Sequence, residues 1–571
     1  METLQLVLNF TDIQHLLWIK LSLFGFLASA VLIIYFKRSS ALYLAAVGLF
    51  SGLAYFSLVE GTDLLFWGLK GDEITIAAMY EMFAHGGLFV DFAYASLPPF
   101  YPPLWFQGFG LLGRYLDFQG IQIAKTAGLA TILVFPLLFY WAQNLIWDRS
   151  FEQRTAWLLS PLFVLITLSW SEIITKPYEL VSVAFTVLWA QYLLVHLHEE
   201  SLNNKKILLL GVVGGILFQI FYYWFILAAI GISLFVLFES RPFKKYWQLT
   251  KTALISVIVA APYWVPLSLS YLEHGSENWQ LGFWSLGALS SYSLDIEILS
   301  ISSAVILFGL AVVLLLRDKV KMRALLSLLV APFVWYVLSL ITLNFFRSPL
   351  QAHKGMEFFV PTVLSLAAAY GVDYLWNKYE PRLEDYKKGI YILATIILST
   401  QLIFGSFTNK KEVLKSRVRA KDLKPAKLKV KNYLKENYPN ISEKTVLHTG
   451  LPELHAFLPM NDFIYFNQHN SHPAANFSAR KRFLENLKLS KNSKAFYDMI
   501  DSNEFSSIDL FVFYKRKDDY YPVILHLDDF PHKIKQKTIR IPKNLLDEQY
   551  FEQVYENNSY VIYRAKKVKL K

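Results

Sequence analysis

Three candidate catalytic carboxylates lie in one long polar segment between two apolar stretches of the chain. They are Asp72, Glu73 and Asp91, within residues 60–120. Transfer of a sugar from a phosphate requires a base for the acceptor hydroxyl, and a carboxylate is ionised at neutral pH and can be tuned by burial. Asp72 precedes a stretch with helical periodicity, Ile74–Phe83, so the alternative role is an N-cap. Its place in a long loop favours the catalytic role.

A proline-rich aromatic run follows in the same segment. Residues 100–105 read Phe-Tyr-Pro-Pro-Leu-Trp. Proline fixes its own φ and biases the preceding residue toward extended geometry, so the run is conformationally restricted. Tyr101 and Trp105 are therefore candidates for lining a sugar. The alternative for both is the belt of aromatic residues found at membrane interfaces.

Cations flank a second, shorter polar segment at Arg347, His353 and Lys354. Two cations beside a histidine suit a lipid phosphate, because charge-assisted hydrogen bonds to phosphate are strong. The alternative is an anchor to anionic headgroups. Further ionisable groups lie at or near the ends of apolar stretches: Lys125, Glu172, Lys176 and Glu179. Such groups are functional candidates, although snorkelling is the simpler account of the two lysines.

The sequence contains no strong metal-binding pattern. It has no cysteine, which excludes disulfides and thiolate sites. Four histidines lie in the C-terminal part: His448, His455, His469 and His472. Their spacing matches no firm zinc motif, and we interpret them as ordinary surface or core histidines. No metal or cofactor is assigned, and a divalent cation that assists the reaction stays an open alternative.

The elements that must position these groups are apolar. Of the 571 residues, 54% are hydrophobic and 18% are charged. A helix needs about 20 apolar residues to cross a bilayer, and the stretches predict about 11–13 transmembrane helices. Much of the net charge of +11 lies in short loops between them. Lysine and arginine set topology there, so the charge does not indicate binding to nucleic acid.

The basic short loops also predict the orientation in the membrane. With these loops in the cytoplasm, the N-terminus is external. The external loops are then residues 60–120, 271–296 and 346–355, and the C-terminal part is external too. The strongly basic segment Lys410–Lys435 argues for a cytoplasmic tail. Long domains translocate largely regardless of charge, however, so the short loops decide the prediction.

We expect three parts along the chain. Residues 1–407 form the multi-span membrane domain, in which residues 60–120 are the catalytic external loop. Residues 408–424 are a linker, and residues 425–571 are a soluble extracytoplasmic domain.

Periodicity predicts an α/β fold for this soluble domain. Helices are predicted at Pro425–Glu436 and Ala474–Leu489, with Arg480 exposed on the second. Strands are predicted at Thr445–Thr449, Phe463–Phe466, Asp509–Tyr514 and Tyr560–Arg564.

Several motifs occur together in a recognisable order. The N-terminal ones are Gly71-Asp72-Glu73, the run Leu-Pro-Pro-Phe-Tyr-Pro-Pro-Leu-Trp-Phe at residues 97–106, Gly113-Arg114 and Lys125. The C-terminal ones are residues 509–513, 520–522 and 551–563. In these motifs the chain resembles the galactan arabinofuranosyltransferase family of the mycobacterial cell wall.

The resemblance implies a GT-C membrane domain with a C-terminal extracytoplasmic domain. It also implies an inverting transferase that uses a polyprenyl-phosphate sugar such as decaprenyl-phosphoryl arabinofuranose. Asp72 is then the expected base, with Glu73 and Asp91 as the next candidates. The expected donor-phosphate ligands are Arg347, His353, Lys354 and Lys125. The residues expected to line the sugar or acceptor are Tyr101, Trp105 and Arg114.

We therefore expect a multi-pass cell-membrane glycosyltransferase that transfers a sugar, arabinofuranose, from a polyprenyl phosphate to a cell-wall or cell-surface glycan. Three alternatives stay open: a GT-C transferase with a lipid or protein acceptor, a transporter of lipid-linked sugars, and a glycan-binding scaffold. A transporter would predict inverted repeats or paired half-helices, and the sequence shows neither.

Overall fold

The protein is described by a computed structural model. The residues described are 10–36, 40–146, 154–168, 170–199, 202–238, 243–277, 300–346, 350–351, 354–386, 389–390, 392–397, 410–529 and 532–566. The helices up to residue 383 are α1 (Phe10–Tyr35), α2 (Ser40–Val59), α3 (Asp72–Glu81), α4 (Leu104–Leu116), α5 (Gly120–Ile146), α6 (Arg154–Thr167), α7 (Trp170–Thr175), α8 (Pro177–Glu199), α9 (Asn204–Phe238), α10 (Phe243–His274), α11 (Ile301–Leu315), α12 (Val320–Phe346) and α13 (Val360–Leu383).

Within these ranges, eight helices are long and apolar enough to cross a membrane. They are α1, α2, α5, α8, α9, α10, α12 and Gly355–Tyr379, which includes most of α13. Two shorter apolar helices, at Ala156–Thr167 and Ile301–Leu315, lie among them. The predicted polytopic helical membrane fold is confirmed, while the predicted number of about 11–13 crossings includes segments outside the described residues.

Small residues allow the helices to pack closely. A Cβ added at Gly48 of α2 would lie 2.2 Å from the carbonyl oxygen of Leu133 in α5. A Cβ at Gly309 of α11 would lie 2.1 Å from the carbonyl oxygen of Leu364 in α13. Glycine lets two helix backbones approach where lipid gives no hydrophobic drive for association. These contacts fix the bundle that holds the loop of residues 60–120.

One helix of the bundle is interrupted. Helix α9 contains Phe221 with φ −162° and ψ 99°, an extended conformation in the middle of a helix. A break of this kind frees backbone groups, and in a membrane it is tolerated where the backbone faces protein or a water-filled cavity. The break faces the loop of residues 60–120, as the contacts of Phe221 below show.

The loop of residues 60–120 is itself a folded unit. It contains α3, a π-helical turn at Met82–Gly86, and α4. The predicted helix at Ile74–Phe83 corresponds to α3. Gly71 precedes α3 with φ 56° and ψ −131°, a conformation that side chains other than glycine rarely adopt. Gly71 therefore sets the direction in which the chain enters α3.

The C-terminal domain is mixed α/β. Its helices are α14 (Lys410–Ala420), α15 (Pro425–Asn437), α16 (Phe477–Leu487) and α17 (Ser493–Asp501). Its strands are β1 (Thr445–His448), β2 (Asn461–Asp462), β3 (Leu510–Tyr514), β4 (Tyr520–Asp529), β5 (His532–Pro542), β6 (Phe551–Glu556) and β7 (Tyr560–Ala565). Five strands form a sheet in the order β2-β1-β3-β7-β6, and β4 and β5 form a separate hairpin. The first three strands of the sheet are parallel, and β7 is antiparallel to β3 and β6.

Two details of the predicted tail are wrong. Residues 463–466 form no strand; the short β2 at Asn461–Asp462 pairs with β1 instead. Arg480 is buried and not exposed, because its guanidinium donates to the carbonyl oxygens of Ala475 and Phe463, at 2.7 and 2.8 Å. The hairpin of β4 and β5 had no counterpart among the predicted strands. Its charged second strand gives little hydrophobic alternation for a sequence pattern to detect.

The predicted linker at residues 408–424 contains α14, which packs on the membrane domain. The Arg417 guanidinium donates to the carbonyl oxygens of Leu58 and Glu60, both at 2.9 Å, at the end of α2. The Leu64 amide donates to the carbonyl oxygen of Ala420 at 2.8 Å. The C-terminal domain and the loop of residues 60–120 therefore lie on the same side of the bundle.

Candidate active site

Asp72 is the first residue of α3, and its carboxylate is open to solvent. Gly71 takes the N-cap position, and no side-chain capping bond forms there, so the N-cap alternative for Asp72 is not realised. Half of the Asp72 side chain, 50%, is accessible to solvent. Its Oδ2 lies 3.0 Å from the Lys176 ammonium, in the short connection between α7 and α8. The carboxylate is thus oriented by a cation and still open to a ligand.

A second ion pair lies beside the first. The Lys354 ammonium is 3.1 Å from Glu179 Oε1, and the Tyr178 hydroxyl donates to the same oxygen at 3.3 Å. Glu179 is completely buried at the start of α8. Its other oxygen, Oε2, has no hydrogen-bond partner within the described chain. A buried acceptor without a donor is a place where a ligand hydroxyl or a water can bind.

Aromatic rings lie beside these two ion pairs. Phe221, at the break in α9, lies below the Lys354 ammonium, which is 5.0 Å from the ring centroid. The ring centroid of Tyr101 is 6.4 Å from that of Phe221, and that of Tyr178 is 5.6 Å away. Trp105 lies further along, where its indole N–H donates to the Tyr80 hydroxyl at 2.8 Å. Aromatic faces beside polar groups can bind the apolar face of a sugar.

The cations control the ionisation of the site. Burial raises the pKa of Asp72, but the ammonium groups of Lys176 and Lys354 outweigh burial and hold this pKa below its usual value. Burial lowers the pKa of Lys354, and the Glu179 carboxylate reverses this, so its pKa lies above the usual value. Burial raises the pKa of Tyr101 to about 12. At neutral pH the site therefore contains an ionised Asp72 and a protonated Lys354.

Glu73 and Asp91, the other candidate bases, are buried and brace the loop. The Glu73 carboxylate accepts from the backbone N–H groups of Trp67 and Leu69, at 2.8 and 3.1 Å. Asp91 Oδ1 accepts from the N–H of Ala93 at 3.0 Å. Burial raises the pKa of each carboxyl to about 7. Both side chains are buried and already accept hydrogen bonds from backbone N–H groups, so Asp72 is the stronger candidate for the base.

Two of the predicted cations support backbone instead of facing Asp72. Lys125 in α5 donates to the hydroxyl and carbonyl oxygens of Thr62. Arg114 in α4 donates to the carbonyl oxygens of Ala84 and Phe83, at 2.6 and 3.2 Å, at the π-helical turn. Lys125 therefore joins the loop to the bundle, and Arg114 braces the inside of the loop. Arg347 and His353 lie outside the described residues.

The site includes residues that the sequence analysis did not commit to. Lys176 and Glu179 were noted among the ionisable groups at span ends, and their spacing of three residues was the available signal. Phe221 had no signal, because no glycine or proline lies within five residues of the break in α9. Only the fold brings α3, α8 and the break together.

No group of metal ligands surrounds Asp72 among the residues described. One group of three potential ligands lies elsewhere, in the C-terminal domain, at His448, His455 and Asp462. Two of the four histidines noted in the sequence therefore meet, and Asp462 completes the group.

Comparison with protein families identifies the chain. Residues 20–399 match the model described as arabinofuranosyltransferase N terminal, and residues 414–563 match the model described as arabinofuranosyltransferase A C terminal. The chain belongs to the arabinofuranosyltransferase family. It is a membrane glycosyltransferase, as the resemblance of its motifs predicted. The boundary between the two matched regions falls close to the predicted linker.

Three solved structures show distant likeness. The arabinofuranosyltransferase AftD from Mycobacteria has 13% identity and a TM-score of 0.49. The match covers 92% of this chain and 40% of the AftD chain. The oligosaccharyltransferase of Archaeoglobus fulgidus in the apo form has 12% identity and a TM-score of 0.42, covering 93% and 80%. The same enzyme in complex with Zn and sulfate has 11% identity and a TM-score of 0.40, covering 83% and 67%. No curated protein matches the sequence.

Proposed function

We propose that this transferase moves an arabinofuranosyl group from a polyprenyl-phosphate donor to a hydroxyl of a cell-wall or cell-surface glycan, with inversion. Asp72 is the general base. The observation that carries the proposal is the Asp72 carboxylate, which is half open to solvent and lies 3.0 Å from the Lys176 ammonium. Among the three candidate acids, it is the accessible one. The family supports the pentose, because its members are described as arabinofuranosyltransferases.

The reaction needs one base and no covalent sugar–enzyme intermediate. The acceptor oxygen attacks the anomeric carbon as Asp72 takes the hydroxyl proton. The bond from the anomeric carbon to the phosphate oxygen breaks, and its electron pair leaves with the polyprenyl phosphate. The leaving phosphate gains negative charge in this step, so a nearby cation stabilises the transition state more than the ground state. A general acid is then unnecessary.

Lys354 is the cation best suited to the donor phosphate. Its ammonium is charged at neutral pH and lies over the Phe221 ring, beside the Asp72 region. Glu179 holds it at 3.1 Å, which fixes its direction and limits the cost of burying the charge. Arg347 and His353, on the same loop of the sequence, are proposed as further ligands of this phosphate.

The free oxygen of Glu179 suits the sugar. Oε2 is buried without a partner in the described part of the chain, and a sugar hydroxyl donates hydrogen bonds. Tyr101 and Phe221 supply an apolar surface at the same place. A site built to accept a hydroxyl discriminates strongly against a sugar that lacks it. We therefore assign Glu179 to recognition of a pentose hydroxyl.

The orientation in the membrane completes the proposal. The Asp72 loop and the C-terminal domain lie on one side of the bundle, and the basic short loops support placing this side outside the cytoplasm. The donor lipid then enters sideways from the bilayer. No divalent cation is required in this scheme.

The test is sugar transfer by the purified full-length chain in nanodiscs. Synthetic polyprenyl-phosphoryl arabinofuranose is supplied with a galactan oligosaccharide, and the products are identified by mass spectrometry. Transfer by wild type and its loss in Asp72→Asn support the proposal. Asp117→Asn is the matched control, because Asp117 is exposed in the same loop and Asn tolerates its left-handed backbone, with φ 54°. Lipid and peptide acceptors in parallel test the alternative acceptors, and polyprenyl-phosphoryl hexoses test the sugar.

A further inference from the structure

Three potential metal ligands meet inside the C-terminal domain. His448 ends β1, Asp462 ends β2, and His455 lies in a short 3-10 turn between them. They are 5%, 2% and 1% exposed, respectively. One ligand atom from each lies within 4.8 Å of the others. Parallel pairing brings the set together, because Val446 is opposite Asp462 and His448 lies two residues further along the same face of β1.

Hydrogen bonds within the group leave part of it unsatisfied. His455 Nε2 lies 2.9 Å from Asp462 Oδ2 and bonds to it. His448 Nε2 is 3.3 Å from Asp462 Oδ1, an ion-pair contact without the alignment of a hydrogen bond. The other ring nitrogen of His448 has no hydrogen-bond partner within the described chain. Buried polar atoms without partners are rare and require an explanation such as a bound ion or water.

We propose that His448, His455 and Asp462 bind a divalent transition-metal ion, with Zn²⁺ as the best match. Imidazole nitrogen and carboxylate oxygen are ligands of Zn²⁺ and related ions. Metal–ligand distances of about 2.0–2.1 Å place tetrahedral ligands roughly 3.3 Å apart. His455 and His448 lie 2.9 and 3.3 Å from different oxygens of Asp462, and one ligand atom from each of the three residues lies within 4.8 Å of the others, so a small closure of the group brings all three to an ion. The fourth position is left for water or another oxygen ligand.

The site lies where the C-terminal domain meets the catalytic loop. The Asp462 amide donates to the carbonyl oxygen of Ala93 at 2.7 Å. The rings of Phe92 and Tyr465 are in contact, with centroids 5.2 Å apart. Helix α3 packs against the 3-10 turn that carries His455. A metal that ties β1, β2 and this turn together would hold the domain on the loop. This structural role does not depend on which sugar is transferred.

Metal content tests the proposal directly. Inductively coupled plasma mass spectrometry of the purified full-length chain should find about one Zn²⁺ per molecule. After treatment with a chelator, added Co²⁺ should produce the visible absorption typical of a tetrahedral Co²⁺ site, and excess Zn²⁺ should abolish it. His448→Asn and Asp462→Asn should each lose the metal and the absorption. His526→Asn is the matched control, because His526 lies on β4 outside the group, and it should keep both.

Stability gives an independent measurement. The chelator should lower the thermal midpoint of wild type and of His526→Asn, and should not change that of Asp462→Asn. A folded wild type that takes up neither Co²⁺ nor Zn²⁺ overturns the proposal. Full retention of metal in both His448→Asn and Asp462→Asn overturns it as well. If these variants do not fold, the Co²⁺ spectrum of the wild type decides: tetrahedral absorption supports the site, and its absence removes it.

Discussion

The Lys176 ammonium lies 3.0 Å from the Asp72 carboxylate, across the boundary between the polar loop and the helical bundle. The pair joins the start of α3 to the connection before α8. It orients the carboxylate and lowers its pKa without covering it, because half of the Asp72 side chain stays open to solvent. The carboxylate is therefore ionised at neutral pH and accessible, two properties that a base needs when its substrate arrives from outside the protein.

Replacement of Asp72 by Asn should abolish transfer while leaving the fold and donor binding nearly intact. Asn keeps the size of the side chain and loses the ability to take a proton. General-base contributions are typically about 10²–10⁴-fold in rate. The measurement is the single-turnover rate at saturating donor, with the thermal midpoint as a check of folding. Turnover near the wild-type rate would exclude Asp72 as the base and would direct the search to Glu73 and Asp91.

Replacement of Lys176 by Gln should move the acid limb of the pH–rate profile to higher pH. The cation holds the pKa of Asp72 below 3.8, so the wild-type base stays ionised down to that region. Without Lys176, the effect of burial is less opposed and the pKa of Asp72 rises. As the pH falls, Asp72 of the variant is then protonated, and its activity lost, at a higher pH than in wild type. Arg482→Gln, which removes an exposed cation of the C-terminal domain, serves as the control. An unchanged acid limb in Lys176→Gln would contradict the assignment.

Replacement of Lys354 by Gln should raise the KM for the donor more than the KM for the acceptor. Loss of a charge-assisted contact costs about 1.5–3 kcal/mol, or roughly ten- to a hundredfold in affinity. The variant also leaves the Glu179 carboxylate buried without its cation, which by itself destabilises the fold. The double variant Lys354→Gln/Glu179→Gln removes both charges and separates the two effects. Equal donor KM in the folded double variant and wild type would show that this ion pair has only a structural role.

Replacement of Asp91 by Asn should change how stability depends on pH. The folded pKa of Asp91 is raised to about 7 from 3.8. Between these values the unfolded chain releases a proton that the folded chain keeps, so this group lowers stability as the pH rises and has no further effect above about 7. The slope for one proton is at most ~1.4 kcal/mol per pH unit. The thermal midpoint of Asp91→Asn minus that of wild type should therefore increase from pH 4 to pH 7. A constant difference across this range would contradict the prediction.

Cysteine labelling should reveal the orientation of the chain. The sequence has no cysteine of its own, so single substitutions give a clean background. A membrane-impermeant maleimide applied to intact cells should label Ser502→Cys in the C-terminal domain and should not label Asn204→Cys at the start of α9. Both positions are exposed in the fold. If Asn204→Cys is labelled and Ser502→Cys is not, the proposed topology is reversed, and the Asp72 loop faces the cytoplasm.

The sequence by itself determined the class of the protein and indicated the segment that contains the candidate base. Apolar runs of spanning length allow few folds, because backbone groups in lipid must bond within a helix or a closed barrel. The order Gly71-Asp72-Glu73 and the proline-rich run at residues 97–106 indicated the family that the comparisons then showed. Strands β1, β3 and β7 were also predicted at nearly their observed positions.

The tertiary structure decided which of the candidate charges share one site. Asp72 and Glu73 are adjacent in sequence, yet the first turn of α3 directs the Asp72 carboxylate to solvent and the Glu73 carboxylate to the backbone of the loop. Lys125 was predicted beside the donor and instead holds a turn. Lys176 and Lys354 are far apart in the chain and approach Asp72 only through the packing of the bundle. Such long-range proximity leaves no periodic signal in a sequence, because it arises from how whole helices pack.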